Sequence, residues 1–358
     1  MAESESIYGS LNNARHSAQQ IREADIPAAP FKAWPEPRVQ CVDTSGYAYE
    51  DNNMRKMVRP LLRAMLIIPL LHAVSQANSP KLQPVAQIRT YVSGLGSDTN
   101  PCTASFPCQT FQAASAMTTA GGEIYVLDSA NYGAVTINKA LTITSEGAVA
   151  GVLAANGAGI TINAGANDVV TLRGLDIDGG NSGSMGIQFN TGGSLNVQNS
   201  VVHNFKSSGI NFAPSATSTL YVSNTVVTNN VSNGIMVASR SGAVNGTLNR
   251  VVTSGNGVGV LAYGAAANVT ITDTVAGSNN YGIGVSSSAV MVRNSTVSNN
   301  AIGITADQAA IVRVGQTTVT ANATGWQATN GGQVQSYGNN SVSGNAVDGT
   351  LTNTIALQ

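Results

Sequence analysis

Charge is scarce in this chain. Asp, Glu, Lys and Arg make up 10% of its 358 residues, against roughly a quarter in an ordinary soluble domain. The formal net charge is −1, and beyond residue 77 nine Lys or Arg and ten Asp or Glu lie scattered. A nucleic-acid partner needs a clustered basic surface to displace counterions, and none is present. Histidine is nearly missing too: only His203 lies beyond residue 77, so no metal centre is suggested and no cofactor is expected. Nor is there an apolar run of the about 20 residues needed to cross a bilayer. These absences do not amount to a disordered composition, because 42% of residues are hydrophobic. What fills the chain is Gly, Ser, Thr, Asn, Ala and Val, the formers of strands and turns.

Three parts follow from composition. Met54 to Ala77 reads as a secretory signal peptide: Arg55, Lys56, Arg59 and Arg63 precede the apolar Ala64 to Val74, and Ser75-Gln76-Ala77 offers a small-residue cut before Asn78. Pro69 interrupts that short core, so a membrane anchor is the poorer reading and no span is expected in the mature chain. Residues 1–53 are rich in Pro and charge without a sustained period, and read as a non-native or disordered leader. Residues 78–109 carry Cys102 and Cys108, which flank a short loop. In an oxidising compartment such a pair points to a local disulfide. Free thiols or half of a metal site are the alternatives, but no second Cys or His pair completes one. The expected location is therefore secreted, periplasmic or at the cell surface.

From about residue 170 onward the chain repeats, and a looser series of apolar strands continues the pattern upstream, so that 110–358 reads as one β-helix with its capping helix. VQNSVVHN (197–204), VSNTVVTN (222–229), TLNRVVTS (247–254), ITDTVAGS (271–278), VRNSTVSN (292–299), VGQTTVTA (314–321) and YGNNSVSG (337–344) align. Their third positions are Asn199, Asn224, Asn249, Asp273, Asn294, Gln316 and Asn339, in steps of 25, 25, 24, 21, 22 and 23 residues. Three places on stand Val202, Val227, Val252, Ala276, Val297, Val319 and Val342. A coil of short strands and turns takes this many residues and rises by about 4.8 Å. The spacing predicts that both columns point inward, the third positions forming a stacked amide ladder that satisfies its polar groups inside the coil. The reading is an all-β, single-stranded, right-handed parallel β-helix of about ten coils, roughly 45–50 Å long.

Cys102 to Gly147 (CTASFPCQTFQAASAMTTAGGEIYVLDSANYGAVTINKALTITSEG) resembles the opening of the pectin-lyase-like, right-handed parallel β-helix superfamily, in particular its secreted bacterial members. There a short amphipathic helix, a Gly-Gly turn and an apolar strand open the first coil. Phe111, Ala114 and Met117 recur at helical spacing behind Thr110, an N-cap candidate, and the resemblance implies a short N-terminal capping helix over the first coil. Enzymes of that superfamily act on polysaccharides lying in a groove along one face. Their Asn-Thr-Asp triplet, Gly-His-Gly and Arg-x-Lys motifs do not occur here.

The nearest approach to a catalytic motif is Arg173, Asp176 and Asp178. At period two the carboxylates share a face, spaced for a pair or for a cation; the plainer reading is two solvated residues beside a turn. His203 follows inward Val202, so it faces outward with no Ser or Cys to activate. Arg250, Arg293 and Arg313 face outward near Asp273 and Asp307; they could bind an acidic sugar, though surface ion pairs are the expected role. Tyr263 and Tyr281 lie on successive coils and could stack on sugar rings. Together these features predict a non-catalytic exported protein, carbohydrate-binding or structural, with a polysaccharide as partner. The alternative is a polysaccharide lyase or glycoside hydrolase, with Ca²⁺ needed only in the lyase case.

Overall fold

The computed structural model describes residues 86–357. The leader, the signal-peptide segment and Cys41 lie outside the described residues. Every paired strand runs parallel, in three sheets of 12, 10 and 9 strands, named I, II and III here. Sheet I runs from Gln87–Val92 to Asn353–Thr354, sheet II from Ala130–Asn131 to Ser341–Val342, and sheet III from Val135–Ile137 to Thr324–Ala328. The chain visits I, II and III in turn, about ten times.

Alternation along each strand fills the interior. In sheet I, Leu172, Val197, Val222, Leu248, Ile271, Val292 and Val314 stack rung on rung, all buried. In sheet III, Phe189 and Phe212 stack at a centroid distance of 4.5 Å. Among the described residues the one α-helix, α1 (Phe111–Met117), starts at Thr110, whose Oγ1 accepts from the Ala113 N–H. It buries Phe111 against Tyr132, their rings 5.0 Å apart. Cys102 and Cys108 are joined as a disulfide. Beside it, Asp98 accepts from the Gln109 and Thr110 N–H groups and from the Thr110 hydroxyl. The fully buried Tyr132 donates to Asp128, which also accepts from Ser93 and the Gly94 N–H. Burial, then the neighbouring carboxylate, raises the Tyr132 pKa; the bonds it accepts, Gly94 first, lower that of Asp128.

The expected amide ladder differs from the observed one. Asn199, Asn224, Asp273, Asn294, Gln316 and Asn339 are exposed and Asn249 is half-buried. Asn199, Asn224, Asp273, Asn294 and Gln316 form the corner between sheets I and II, with φ of +48° to +52°. This left-handed conformation is one that short polar residues tolerate better than most. A left-handed residue turns the chain by itself, so the next residue, not this one, points inward. Ser200, Thr225, Thr274, Ser295 and Thr317 do so. The Asn249 coil slips by one place: Val226 pairs with Val252, so Arg250 takes the corner at φ +53°. There Val251 and Thr253 are buried and Val252 is only half-buried.

The true amide ladder sits at the next corner, between sheets II and III: Asn230, Asn256, Asn279, Asn300, Asn322 and Asn345. Each Oδ1 after the first accepts from both the backbone N–H and Nδ2 of the Asn one coil earlier, at 2.9–3.2 Å. Each Nδ2 also reaches a backbone carbonyl; that of Asn279 donates to Thr253 and Gly277. The first five are at most 5% exposed, so all this bonding replaces water inside the coil.

Candidate functional site

Two places on the outside of the coils gather chemistry. The first is on sheet II. Asp176 and Asp178 point outward from Leu175–Asp178, and the next rung sets Val201 beside Asp176 and His203 beside Asp178. The imidazole lies between the carboxylates. Its Nε2 is 2.9 Å from Asp176 Oδ1 and its Nδ1 3.7 Å from Asp178 Oδ1. Asn204 Nδ2 donates to His203 Nδ1 at 2.7 Å and to Asp178 Oδ1 at 2.9 Å. If Nδ1 accepts, Nε2 carries the proton and donates to Asp176.

The hydrogen bond to Asp176 raises the His203 pKa, its burial opposing and the charges of Asp176 and Asp178 assisting. Burial pushes the Asp178 carboxyl up, but the Gly180 N–H, the Asn204 amide and His203 together bring it below the ordinary value. Arg173 stands apart, across the Gly174 corner on sheet I, 3.5 Å from Glu146. So the candidate trio divides, and the carboxylate pair gains a partner that sequence reasoning had set aside.

The second place is a groove of about 830 Å³ on the outer face of sheet I, lined by Thr270, Thr272, Met291, Arg293, Gly315 and Tyr337, with Ile355–Leu357 at one end. Arg293 Nε donates to Gln316 Oε1 at 2.9 Å, which holds the guanidinium and leaves its other N–H groups free for a ligand. Arg313 points outward on the adjoining rung beside Met291. Among the described residues neither arginine forms an ion pair, and nor does Arg250. The surface ion pairs expected for them are therefore not formed. The two acids expected near them bond to neutral groups instead: Asp273 accepts from Asn249 and Asn294, and Asp307 from Thr329 and Asn330. From Leu141–Thr144 to Asn353–Thr354, no strand of sheet I contains Asp or Glu. The face is neutral to positive on a chain of near-zero net charge.

Tyr263 and Tyr281 lie on adjacent strands of sheet III but at opposite ends, in register with Ser286 and Val258. They make no joint platform. The groove residues Met291, Tyr337 and Ile355 carry no signal of their own in the sequence beyond alternation, which places Met291 between inward Val290 and Val292 and Tyr337 next to inward Ser336.

No family model and no curated protein matches this chain. Among solved structures, pectate lyase Pel9A is similar at 16% identity and a TM-score of 0.50, over 76% of this chain and 80% of that one. The A-modules of two mannuronan C-5 epimerases of Azotobacter vinelandii are similar at lower TM-scores. AlgE6 gives 0.46 at 16% identity over 75% of this chain and 87% of that one. AlgE4 gives 0.43 at 12% identity over 66% and 91%. The likeness to the lyase is one of fold, which hosts many activities. The chain has the pectin-lyase-like, right-handed parallel β-helix fold.

Proposed function

We propose that the protein is an exported, non-catalytic rod that holds an extended, carboxylate-bearing polysaccharide along the outer face of sheet I. The observation that carries this reading is the groove lined by Arg293, which forms no ion pair, with Arg313 on the adjoining rung, among sheet I strands that hold no Asp or Glu from Leu141–Thr144 onward. An arginine kept clear of carboxylates offers forked donors to a ligand carboxylate, and Tyr337 offers a ring face to a sugar. Export is supported by the signal-peptide pattern and by the Cys102–Cys108 disulfide.

The catalytic alternative rests on Asp176, Asp178 and His203. Its weakness is that these groups face one another: Nε2 is taken by Asp176 and Nδ1 by Asn204, so no free base is aimed at a substrate. Affinity electrophoresis in polygalacturonate and alginate tests the proposal. Arg293→Ala with Arg313→Ala is expected to weaken binding at least tenfold, since hydrogen bonds to charged groups contribute roughly 1.5–3 kcal/mol. Unchanged retardation would overturn it. Polysaccharide turnover that is lost in Asp176→Ala would instead establish the enzyme.

A further inference from the structure

We propose that the outer face of sheet III is a self-association surface, on which a second copy of this chain packs face to face with the first. The proposal uses a different side of the coil from the sheet I groove and does not depend on it.

Sheet III differs from the other two in what it turns outward. The strands of sheet I carry Arg89, Glu123, Arg173, Arg293 and Arg313, and those of sheet II carry Asp176, Asp178 and His203. The nine strands of sheet III hold one charged residue, Asp307, at a strand end and bonded to Thr329 and Asn330. In place of charge stand large apolar side chains. Met236 is in register with Leu261, and Val258 with Tyr281 and then Ile302. Met236 lies between buried Ile235 and Val237, and Leu261 between buried Val260 and Ala262, which turns both outward. A Cβ added at Gly284 would lie 3.2 Å from Val258 Cγ1 and 3.5 Å from Leu261 Cδ1, so these two side chains lean over the glycine and keep the face continuous. Tyr263 and Tyr281, 52% and 41% exposed, stand at its two margins. The polar groups between them are covered: Asn211 and Asn233 are 6% and 8% exposed, and their Nδ2 atoms donate to the thioethers of Met185 and Met236 at 3.3 and 3.9 Å. Asn211 Oδ1 is buried in this face with no partner among the described residues.

Size and composition name the occupant. Nine strands spaced at about 4.8 Å make the face roughly 38 Å long, and the six residues from Val258 to Tyr263, at about 3.3 Å each, make it roughly 17–20 Å wide. That is about 700 Å² a side and about 1,400 Å² for a pair, within the roughly 1,200–2,000 Å² of a specific protein interface. The centre has the methionines, the tyrosines and the dearth of charge that mark an interface core, with Thr136 and Thr161 at one end and Thr305 and Gln327 at the other as its polar rim. An isologous contact sets a face against itself, so a face almost without charge meets no like-charge repulsion there. An anionic membrane would call for basic residues, which these strands lack. A sugar chain would call for a joint aromatic platform, which the two tyrosines, at opposite ends of their strands, do not make.

Sedimentation velocity of the full chain over a concentration series is expected to show a monomer–dimer equilibrium in the micromolar range. A monomer at every concentration up to about 0.1 mM overturns the proposal and leaves the proposed function standing. Leu261→Glu with Ile302→Glu, its fold checked by circular dichroism, is expected to weaken association at least about a hundredfold, because it sets unpaired like charges against one another in a dry contact. Thr296→Glu with Thr318→Glu puts the same charge on the outer face of sheet II and is expected to leave the dimer intact. Dimers that persist in the folded sheet III variant, or that are lost equally in the sheet II variant, overturn the assignment. Peroxide oxidation of the unaltered chain reads the face directly. Met185 and Met236 are expected to become protected as concentration rises, while Met291 on sheet I oxidises at a constant rate. Equal protection of all three would place the contact elsewhere. Protection of Met236 that appears in a monomer only on adding alginate would make the face a sugar site and end the proposal.

Discussion

Asn294 and Asn300 stand six residues apart in one coil and have opposite surroundings. Asn294 is exposed at a left-handed corner, while Asn300 is 4% exposed and serves as the acceptor for both the backbone and the side chain of Asn279. Removing the amide at an interior rung strands donors that cannot reach water, each unsatisfied group costing about 1–3 kcal/mol. Asn279→Ala, which orphans the Asn256 N–H, takes one acceptor from the Asn256 Nδ2 and removes the donor to the Thr253 and Gly277 carbonyls, is therefore expected to destabilise by about 2–3 kcal/mol. Asn294→Gly exchanges one left-handed residue for the residue that adopts that conformation most easily, and is expected to stay within about 0.5 kcal/mol. Urea denaturation of the two variants measures both, and equal losses would refute the assignment of the ladder. Thr253 gives the opposite case. It is fully buried in a column otherwise made of Ile, Val and Ala, and its Oγ1 has no partner in the described structure. Thr253→Val keeps the shape and removes the orphaned hydroxyl, so a gain of about 1 kcal/mol is expected in the same titration. The repeat itself was legible in sequence because the inward positions must be apolar coil after coil. The side on which its Asn column lies was not. One left-handed residue inverts the in–out alternation, and an Asn that turns a corner is written with the same letter as an Asn that fills a core.

At the scale of strands, neighbouring rungs create groupings that a linear motif does not show. Asp176 and Asp178 share a face by alternation alone, which the sequence displays. His203 joins them from 27 residues away in the chain, and only the strand register delivers it. Its raised pKa fixes the sign of a pH effect. A group whose folded value exceeds its unfolded value of about 6.5 contributes stability that is fully present below that value. The contribution fades as pH rises through the folded value. Stability is thus expected to fall as pH rises from about 6.5 through the raised folded value, and Asp176→Asn to flatten that part of the profile by returning His203 toward its ordinary value. Imidazole proton shifts in NMR follow the titration directly. A His203 pKa unaltered by Asp176→Asn would show that the 2.9 Å contact does not hold the charge. Asp178 acts in the reverse sense: its depressed value supplies stability above about pH 4 that is lost as pH falls through the folded value. The groove was still less legible. Arg293 and Arg313 were visible as outward charges, but outward positions answer to no packing rule. Thus Thr270, Met291, Gly315 and Tyr337 carry no shared signature until sheet I sets them side by side.

Over the whole molecule, each coil is tied to the one before and the one after by the same sheets and ladders, so stability is nearly a sum of local and nearest-neighbour contributions. Two ends then need separate treatment. At the C-terminal end Trp326, 5% exposed, fills the last sheet III rung, and Asn345 passes its Nδ2 to Asp348 where no further Asn follows. At the N-terminal end the disulfide, Asp98 and α1 are bonded to one another and to the strand Gln87–Val92. The disulfide closes a short loop, with a sequence separation of 6, and closing so short a loop stabilises by about 2 kcal/mol in the chain-entropy picture. That gain belongs to the first coil alone. Replacing both Cys102 and Cys108 by Ala is expected to lower hydrogen-exchange protection in residues 86–132 while leaving the ladder amides from Asn256 to Asn322 protected as before. Combined with Asn279→Ala, whose site is many coils distant, the two losses are expected to add within about 0.5 kcal/mol. If the cysteine variant instead exposed the distant amides as well, the rod would be unfolding as one unit, and the additive, coil-by-coil account of its stability would have to be given up.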